Sequence, residues 1–270
     1  DYYPNETSGN LYRWKLAYEG PDDESFVEID QSFVDLHMDN TNYQMTSNVK
    51  LIGDIELKHN TQFFNVRKHN LIFDGSGFTI TLNYHKTNTT TATHYGLFKN
   101  QSACSWNNNA NTSLTVVSSS DVGYNNVVLK NFKVFGKAAW TANNYGWITS
   151  YYFGLGSTLY LENIQVKGSN NNNTSALVGK NTSYRGVLIV RKCSFHGYIY
   201  KDGGGLLGVN TPYEGLLIME ESFSTGSADI GYVLSSQSHR GGNLVGSNTG
   251  TNSKVVIKNC YSSGYVGSQS

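Results

Sequence analysis

The sequence predicts an all-β fold in which short repeats stack along one axis as a solenoid, preceded by an N-terminal capping segment. Three observations predict it. A strand-like element closed by glycine recurs five times, and a second, glycine-containing turn element alternates with it in fixed order. The composition suits regular β-structure with polar turns: only 3 prolines in 270 residues, and 15% charged residues against the roughly 25% usual in soluble domains.

The first element reads VVLKNFKVFG over Val127–Gly136 and LYLENIQVKG over Leu159–Gly168. It returns as LIVRKCSFHG over Leu188–Gly197, LIMEESFSTG over Leu217–Gly226 and VVIKNCYSSG over Val255–Gly264. The closing glycines lie 32, 29, 29 and 38 residues apart. Apolar residues take the first and third positions, the period-2 signature of a strand with one buried face. A unit of about 30 residues cannot bury that face alone, so each is expected to form one coil and to stack on the next at about 4.8 Å. The longest spacing fits an insertion in Ser227–Arg240 that projects without disturbing the stack. A globular β-sandwich is the rival fold for a chain of short alternating strands, but corner motifs recurring in fixed phase favour the solenoid.

The second element appears as ALVGKN over Ala176–Asn181, GLLGVN over Gly205–Asn210 and NLVGSN over Asn243–Asn248, with looser copies at Phe153–Ser157 and Gly96–Asn100. Glycine there serves a positive φ or a close backbone approach, and asparagine tolerates a left-handed turn. The motif resembles the Gly-Leu-hydrophobic-Gly core of GLUG-motif surface proteins, and the resemblance covers roughly residues 95–270. It departs at Gly96–Asn100, where Lys99 stands in place of the second glycine. The resemblance implies a right-handed parallel β-helix of the pectin-lyase-like class.

Upstream, Val49–Leu57 alternates, and Asn70–Ile80 resembles the strand–turn–strand segments of pectinase-like β-helices. Residues 48–270 are therefore expected to form the β-helix, clearest over 127–270, and residues 1–47 an N-terminal cap or arm. Within that arm Phe26, Ile29, Phe33 and Leu36 fit a helix capped near Asp23-Glu24-Ser25. Val27 with Ile29, or Val34 with Leu36 and Met38, fit a strand equally well.

Charge and motifs narrow the chemistry. Lys+Arg and Asp+Glu are 20 each, so neither a basic nucleic-acid footprint nor an acidic tail is present. No stretch approaches the roughly 20 apolar residues of a membrane span. Cys104, Cys193 and Cys260 show no zinc spacing, and no cofactor fingerprint or metal motif occurs, so no cofactor is expected. Cys193 and Cys260 occupy the same repeat position two coils apart, about 10 Å, too far for a disulfide, and are expected as buried thiols. A polysaccharide-cleaving site needs carboxylates gathered on one face of adjacent coils. At the equivalent position stand Lys130, Glu162, Arg191, Glu220 and Lys258, which alternate in sign. Glu220 and Glu221, adjacent on a strand, are expected to point to opposite sides. No catalytic residue is assigned.

Seven N-glycosylation sequons occur, at Asn5, Asn88, Asn100, Asn111, Asn172, Asn173 and Asn181. Asn88, Asn111, Asn172 and Asn173 fall in polar stretches that read as projecting loops. Trp140, Tyr145, Trp147, Tyr151 and Tyr152 crowd one short segment and are candidates to contact a carbohydrate or a protein partner, with packing of a corner loop as the plainer explanation.

The expected role is that of a non-enzymatic extracellular structural glycoprotein on a cell or virion surface, forming a fibre, filament or similar component. A start at Asp1 and a partial repeat at the other end fit end-to-end self-association or a larger parent chain. A carbohydrate-binding adhesin and a polysaccharide lyase or hydrolase of the pectin-lyase-like class are the alternatives.

Overall fold

The computed structural model describes residues 25–84, 93–100, 124–137, 140–141, 145–168, 177–200, 204–229, 243–246, 249–264 and 266–267. Among these, thirteen strands join in one sheet. Its main path runs Phe26–Ile29, Asn48–Leu51, Ile72–Asp74, Val127–Gly136, Thr158–Lys167, Val187–Arg191, Leu216–Glu220, Lys254–Lys258. Ile55–Leu57, Thr79–Leu82, Ser194–His196, Phe223–Ser224 and Tyr261–Ser262 extend the sheet past a bend. Smaller sheets join Tyr43–Met45, Phe64–Val66 and Phe98–Asn100, and likewise Tyr198–Tyr200, Ser227–Asp229 and Val266–Gly267. Every one of these pairings is parallel, and parallel pairing requires the long connections that separate paired strands here.

Register follows the repeat. Val127 pairs with Leu159, Leu159 with Leu188, Leu188 with Leu217 and Leu217 with Val255. The neighbouring apolar column runs Val27, Val49, Phe73, Leu129, Leu161, Val190, Met219, Ile257. From Val49 to Met219 it is fully buried. The apolar first and third positions of each repeat thus line one continuous core, to which Phe64, Phe98, Phe132 and Phe195 add their rings.

The bend beside this core falls at the fifth position of each repeat. Asn131, Asn163, Lys192, Glu221 and Asn259 there hold φ values of 58°, 52°, 52°, 49° and 52°. Asparagine tolerates this left-handed conformation because its short amide bonds locally, whereas lysine and glutamate gain no such compensation. The closing glycines act differently. None of Gly168, Gly197, Gly226 and Gly264 has positive φ, and they stand in line. A Cβ on Gly226 would lie 2.7 Å from the carbonyl oxygen of Gly197, and one on Gly264 would collide with that of Gly226. Close backbone approach is therefore what these positions require.

The second element is confirmed as a column, with one change of phase. Val178, Leu207 and Val245 form successive parallel bridges. The preceding partner is Ile148, whose N–H donates to Leu177 O at 2.9 Å. Gly146–Tyr152, not Phe153–Ser157, is thus the counterpart of ALVGKN. Phe153–Ser157 lies beside Ser183–Gly186, with Ser183 N–H donating to Phe153 O at 2.9 Å and Gly156 N–H to Tyr184 O at 2.7 Å. Thr149 takes the place of the second glycine, which hid the match. Its hydroxyl accepts from Gly179 N–H at 3.1 Å.

At the N-terminal side both alternatives are realised in turn. Phe26–Ile29 is a strand on Asn48–Leu51, so the sheet begins before residue 48. A helix, Gln31–His37, follows, and its cap is Asp30, whose carboxylate accepts from Phe33 N–H at 2.8 Å. Its Val34, with Met38 just beyond, is fully buried against the core. Gln31 uses its side-chain amide as a strand would: Oε1 accepts from Glu56 N–H at 2.6 Å and Nε2 donates to Glu56 O at 3.3 Å. That satisfies the otherwise free edge of Ile55–Leu57.

Cys193 is buried and free, and burial pushes its thiol up to about 12. Cys260 is also free but only partly buried, because it lies in the last repeat of the sheet. Cys104 lies outside the described residues.

Candidate functional site

The column at the fourth repeat position is the longest chemical feature of the sheet. It reads Glu28, Lys50, Asp74, Lys130, Glu162, Arg191, Glu220, Lys258, each paired with the next. Sign alternates at every step. Lys130 Nζ lies 3.6 Å from Asp74 Oδ2, and Arg191 Nε lies 3.8 Å from Glu220 Oε2. Tyr160 joins through hydrogen bonds to Glu162 and Arg191, and burial raises its pKa. Opposite charges directly across strands stabilise by about 0.2–1 kcal/mol per pair. In this column every carboxylate is paired across strands with at least one cation, the pattern of a neutralised surface.

Glu220 and Glu221 do not point apart. Arg191 Nη2 lies 3.7 Å from Glu221 Oε1, so one guanidinium meets both carboxylates. The left-handed φ of Glu221 turns its side chain off the strand alternation.

The aromatic segment divides. Trp147 is 2% exposed, at the position Leu177 and Leu206 fill in later repeats, and Gly168 leaves room for its ring. It is core, as is most of Tyr152. The side chain of Trp140 lies outside the described residues. Tyr145 and Tyr151 remain at the surface on either side of the turn that Gly146 N–H closes on Thr149 O at 3.0 Å. Tyr95, missed in the sequence reading, joins them. Ring centroids are 5.2 Å apart for Tyr95–Tyr145, 4.7 Å for Tyr145–Tyr151 and 5.2 Å for Tyr151–Tyr152, all edge to face. Burial, then Tyr151 and Tyr95, raise the pKa of the Tyr145 phenol. The available signal was the shared order Tyr-Gly-apolar-apolar at Tyr95–Phe98 and Tyr145–Ile148. The result is a row of edge-to-face tyrosines, of which Tyr95 and Tyr151 are exposed and Tyr145 partly so.

Beneath this row lies a buried polar cluster that sequence reasoning also missed. His94 stacks on Trp147 with ring centroids 5.5 Å apart. Its Nε2 lies 2.9 Å from Trp147 O and its Nδ1 2.7 Å from Tyr84 Oη. The carbonyl can only accept, so the neutral ring carries its proton on Nε2 and accepts from the tyrosine at Nδ1. Burial lowers the His94 pKa from 6.5 to about 4.

Two sequons prove to be structural positions. Asn100 is buried, donating from Nδ2 to Tyr124 O at 2.8 Å and accepting Tyr124 N–H on Oδ1 at 2.7 Å. Asn181 is 1% exposed at a left-handed corner, φ 57°, in register with Asn210. Neither amide nitrogen faces solvent, so a sugar does not fit either position in the folded chain. Asn5, Asn88, Asn111, Asn172 and Asn173 lie outside the described residues.

Among the described residues no cluster of three or more His, Cys, Asp or Glu could hold a metal ion, and no helix is long and apolar enough to cross a membrane. No family model, curated protein or solved structure matches the chain.

Proposed function

We propose that the chain is a right-handed parallel β-helix serving as a non-enzymatic extracellular structural or surface component, a fibre, filament or coat element that assembles through its ends. The observation that carries this reading is the unbroken charge alternation from Glu28 to Lys258 over a continuous apolar core. Such columns bring rigidity and solubility without gathering carboxylates for acid–base work. The GLUG-like turns, read as the corners of a coil, support the β-helix. Sugars at Asn88, Asn111, Asn172 or Asn173 would suit an exposed surface protein. Antibody labelling of intact, unpermeabilised producing cells or particles tests the location, and incubation with acidic polysaccharides tests the absence of catalysis. Interior-only labelling, or new reducing ends, would overturn the proposal.

A second reading is favoured by one observation, the surface row Tyr95, Tyr145 and Tyr151. In it the protein is an adhesin whose tyrosines contact glycans. Glycan-array binding lost in Tyr151→Ala with the melting temperature unchanged would support it, and undiminished binding would sink it.

A further inference from the structure

We infer that Lys99 and Arg67 form an anion-binding site on the small sheet of Tyr43–Met45, Phe64–Val66 and Phe98–Asn100, and that the site takes an oxoanion, a sulfate or phosphate group.

Gln44, Asn65 and Lys99 pair in register across this sheet. Their neighbours Met45, Phe64, Val66, Phe98 and Asn100 are buried, so this row takes the outward side. Lys99 Nζ sits 3.6 Å from the centre of the Phe63 ring, whose negative face holds the ammonium there. Arg67 lies two residues beyond Asn65 and so on the same side of its strand. Its Nε donates to Gln44 Oε1, which also accepts from Asn65 Nδ2 at 3.2 Å. An aromatic ring and an amide thus position two cations on one face. The bond to Gln44 uses one of the five donors of the guanidinium.

What this face lacks is a carboxylate. On the main sheet Lys50, Lys130, Arg191 and Lys258 are each paired across strands with Glu or Asp. None of the three strands of the small sheet carries an acidic residue. Residues 40–53, 57–73 and 75–120 contain no Asp or Glu at all, and Asp74 belongs to Lys130 on the main sheet. On the next coil Ser150 N–H donates to Phe98 O at 3.0 Å, which sets Ser150, not a carboxylate, beside Lys99. Lys99 is partly buried, burial lowers its pKa, and it makes no ion pair among the described residues. A cation held half out of water without a counter-charge gains most from an anion supplied by solution. Ammonium and guanidinium donors on one face suit an ion that accepts several hydrogen bonds at once, as sulfate and phosphate oxygens do.

The test is equilibrium dialysis of the full chain against radiolabelled sulfate, with sodium chloride holding ionic strength constant. Wild type is expected to bind one sulfate per chain, saturably, with displacement by inorganic phosphate. Lys99→Gln and Arg67→Gln should each weaken binding about tenfold or more, the loss of a charge-assisted contact. Lys99→Arg should retain most of it, and Lys130→Gln, on the neutralised column, should bind as wild type does. Circular dichroism of each variant checks the fold. A readout without substitution is acetylation of wild type followed by peptide mass spectrometry: sulfate should slow modification of Lys99 severalfold and leave exposed Lys137 unchanged. Displacement of bound sulfate by dextran sulfate, with neutral dextran inert, would identify an ester-borne group as the ligand; displacement by free phosphate alone would identify the free ion. Unsaturable sulfate uptake, Lys99→Gln or Arg67→Gln binding like wild type, or no protection of Lys99 would overturn the site.

Discussion

Asn163 donates from Nδ2 to Oδ1 of Asn131, 3.1 Å away, and both hold a left-handed backbone at the bend of the sheet. Asn131 passes the ladder on, donating from its own Nδ2 to Asp74 Oδ1 at 3.2 Å. A second pair repeats the device, with Asn126 Nδ2 donating to Asn70 Oδ1 at 2.7 Å and positive φ at both. In the next repeat after Asn163 the ladder meets Lys192, which keeps the φ and lacks the amide. Lys192→Asn should therefore stabilise the protein by about 0.5–1 kcal/mol, raising the melting temperature by about 2 °C in a thermal scan. A lower melting temperature would show that the lysine contributes something the amide ladder cannot replace.

Glycines at Gly226 and Gly53 serve as a matched pair. A Cβ at Gly226 would meet Gly197 O at 2.7 Å and Phe195 Cδ1 at 3.2 Å, whereas one at Gly53 meets nothing within 4 Å. Gly226→Ala should cost about 1–3 kcal/mol in urea unfolding, as overpacking does. Gly53→Ala should be neutral or stabilising by up to about 0.5 kcal/mol, through the entropy of the unfolded chain. Equal effects would contradict the close approach of successive glycines.

His94 makes stability depend on acid. Its folded pKa, about 4, lies below the ordinary 6.5, so on acidification the unfolded chain takes up the proton first. The contribution is complete above about pH 6.5 and is lost as pH falls from there towards 4, at no more than about 1.4 kcal/mol per pH unit. Urea midpoints of wild type and His94→Gln, compared at pH 7.5, 6 and 5, should converge on acidification. A constant gap would place the His94 titration elsewhere.

Leu177 and Lys130 separate core from surface. Leu177 is fully buried, and Leu177→Asp should cost several kcal/mol by placing an unpaired charge in the core. Lys130 is partly exposed beside Asp74, and Lys130→Ala should cost about 0.5 kcal/mol or less. Chemical denaturation of both variants measures the contrast directly.

Strand period, repeat phase over residues 127–264 and the alternating charge column were legible in the chain because each is written locally. Alternation with period 2 and a recurring spacing survive any detail of packing, and Lys130, Glu162, Arg191 and Glu220 sit where the repeat puts them. The phase failed at Phe153–Ser157 because glycine spacing outweighed the apolar pair Trp147-Ile148, whose repeat carries Thr149 in place of a glycine. The bend at Lys192 and Glu221 escaped notice because neither residue favours a left-handed backbone. It is imposed there by the strands on either side.

The sequence by itself indicated that equivalent residues about 30 positions apart share columns, since two elements recur there in fixed phase and each leaves one apolar face to bury. Only the tertiary structure decided which aromatic rings face out, which sequon amides are enclosed and which histidine is held neutral. Those outcomes depend on atoms brought by the repeats above and below. Tyr145 and Trp147 lie two residues apart in the chain, yet one meets solvent and the other meets His94 and the backbone at Gly168.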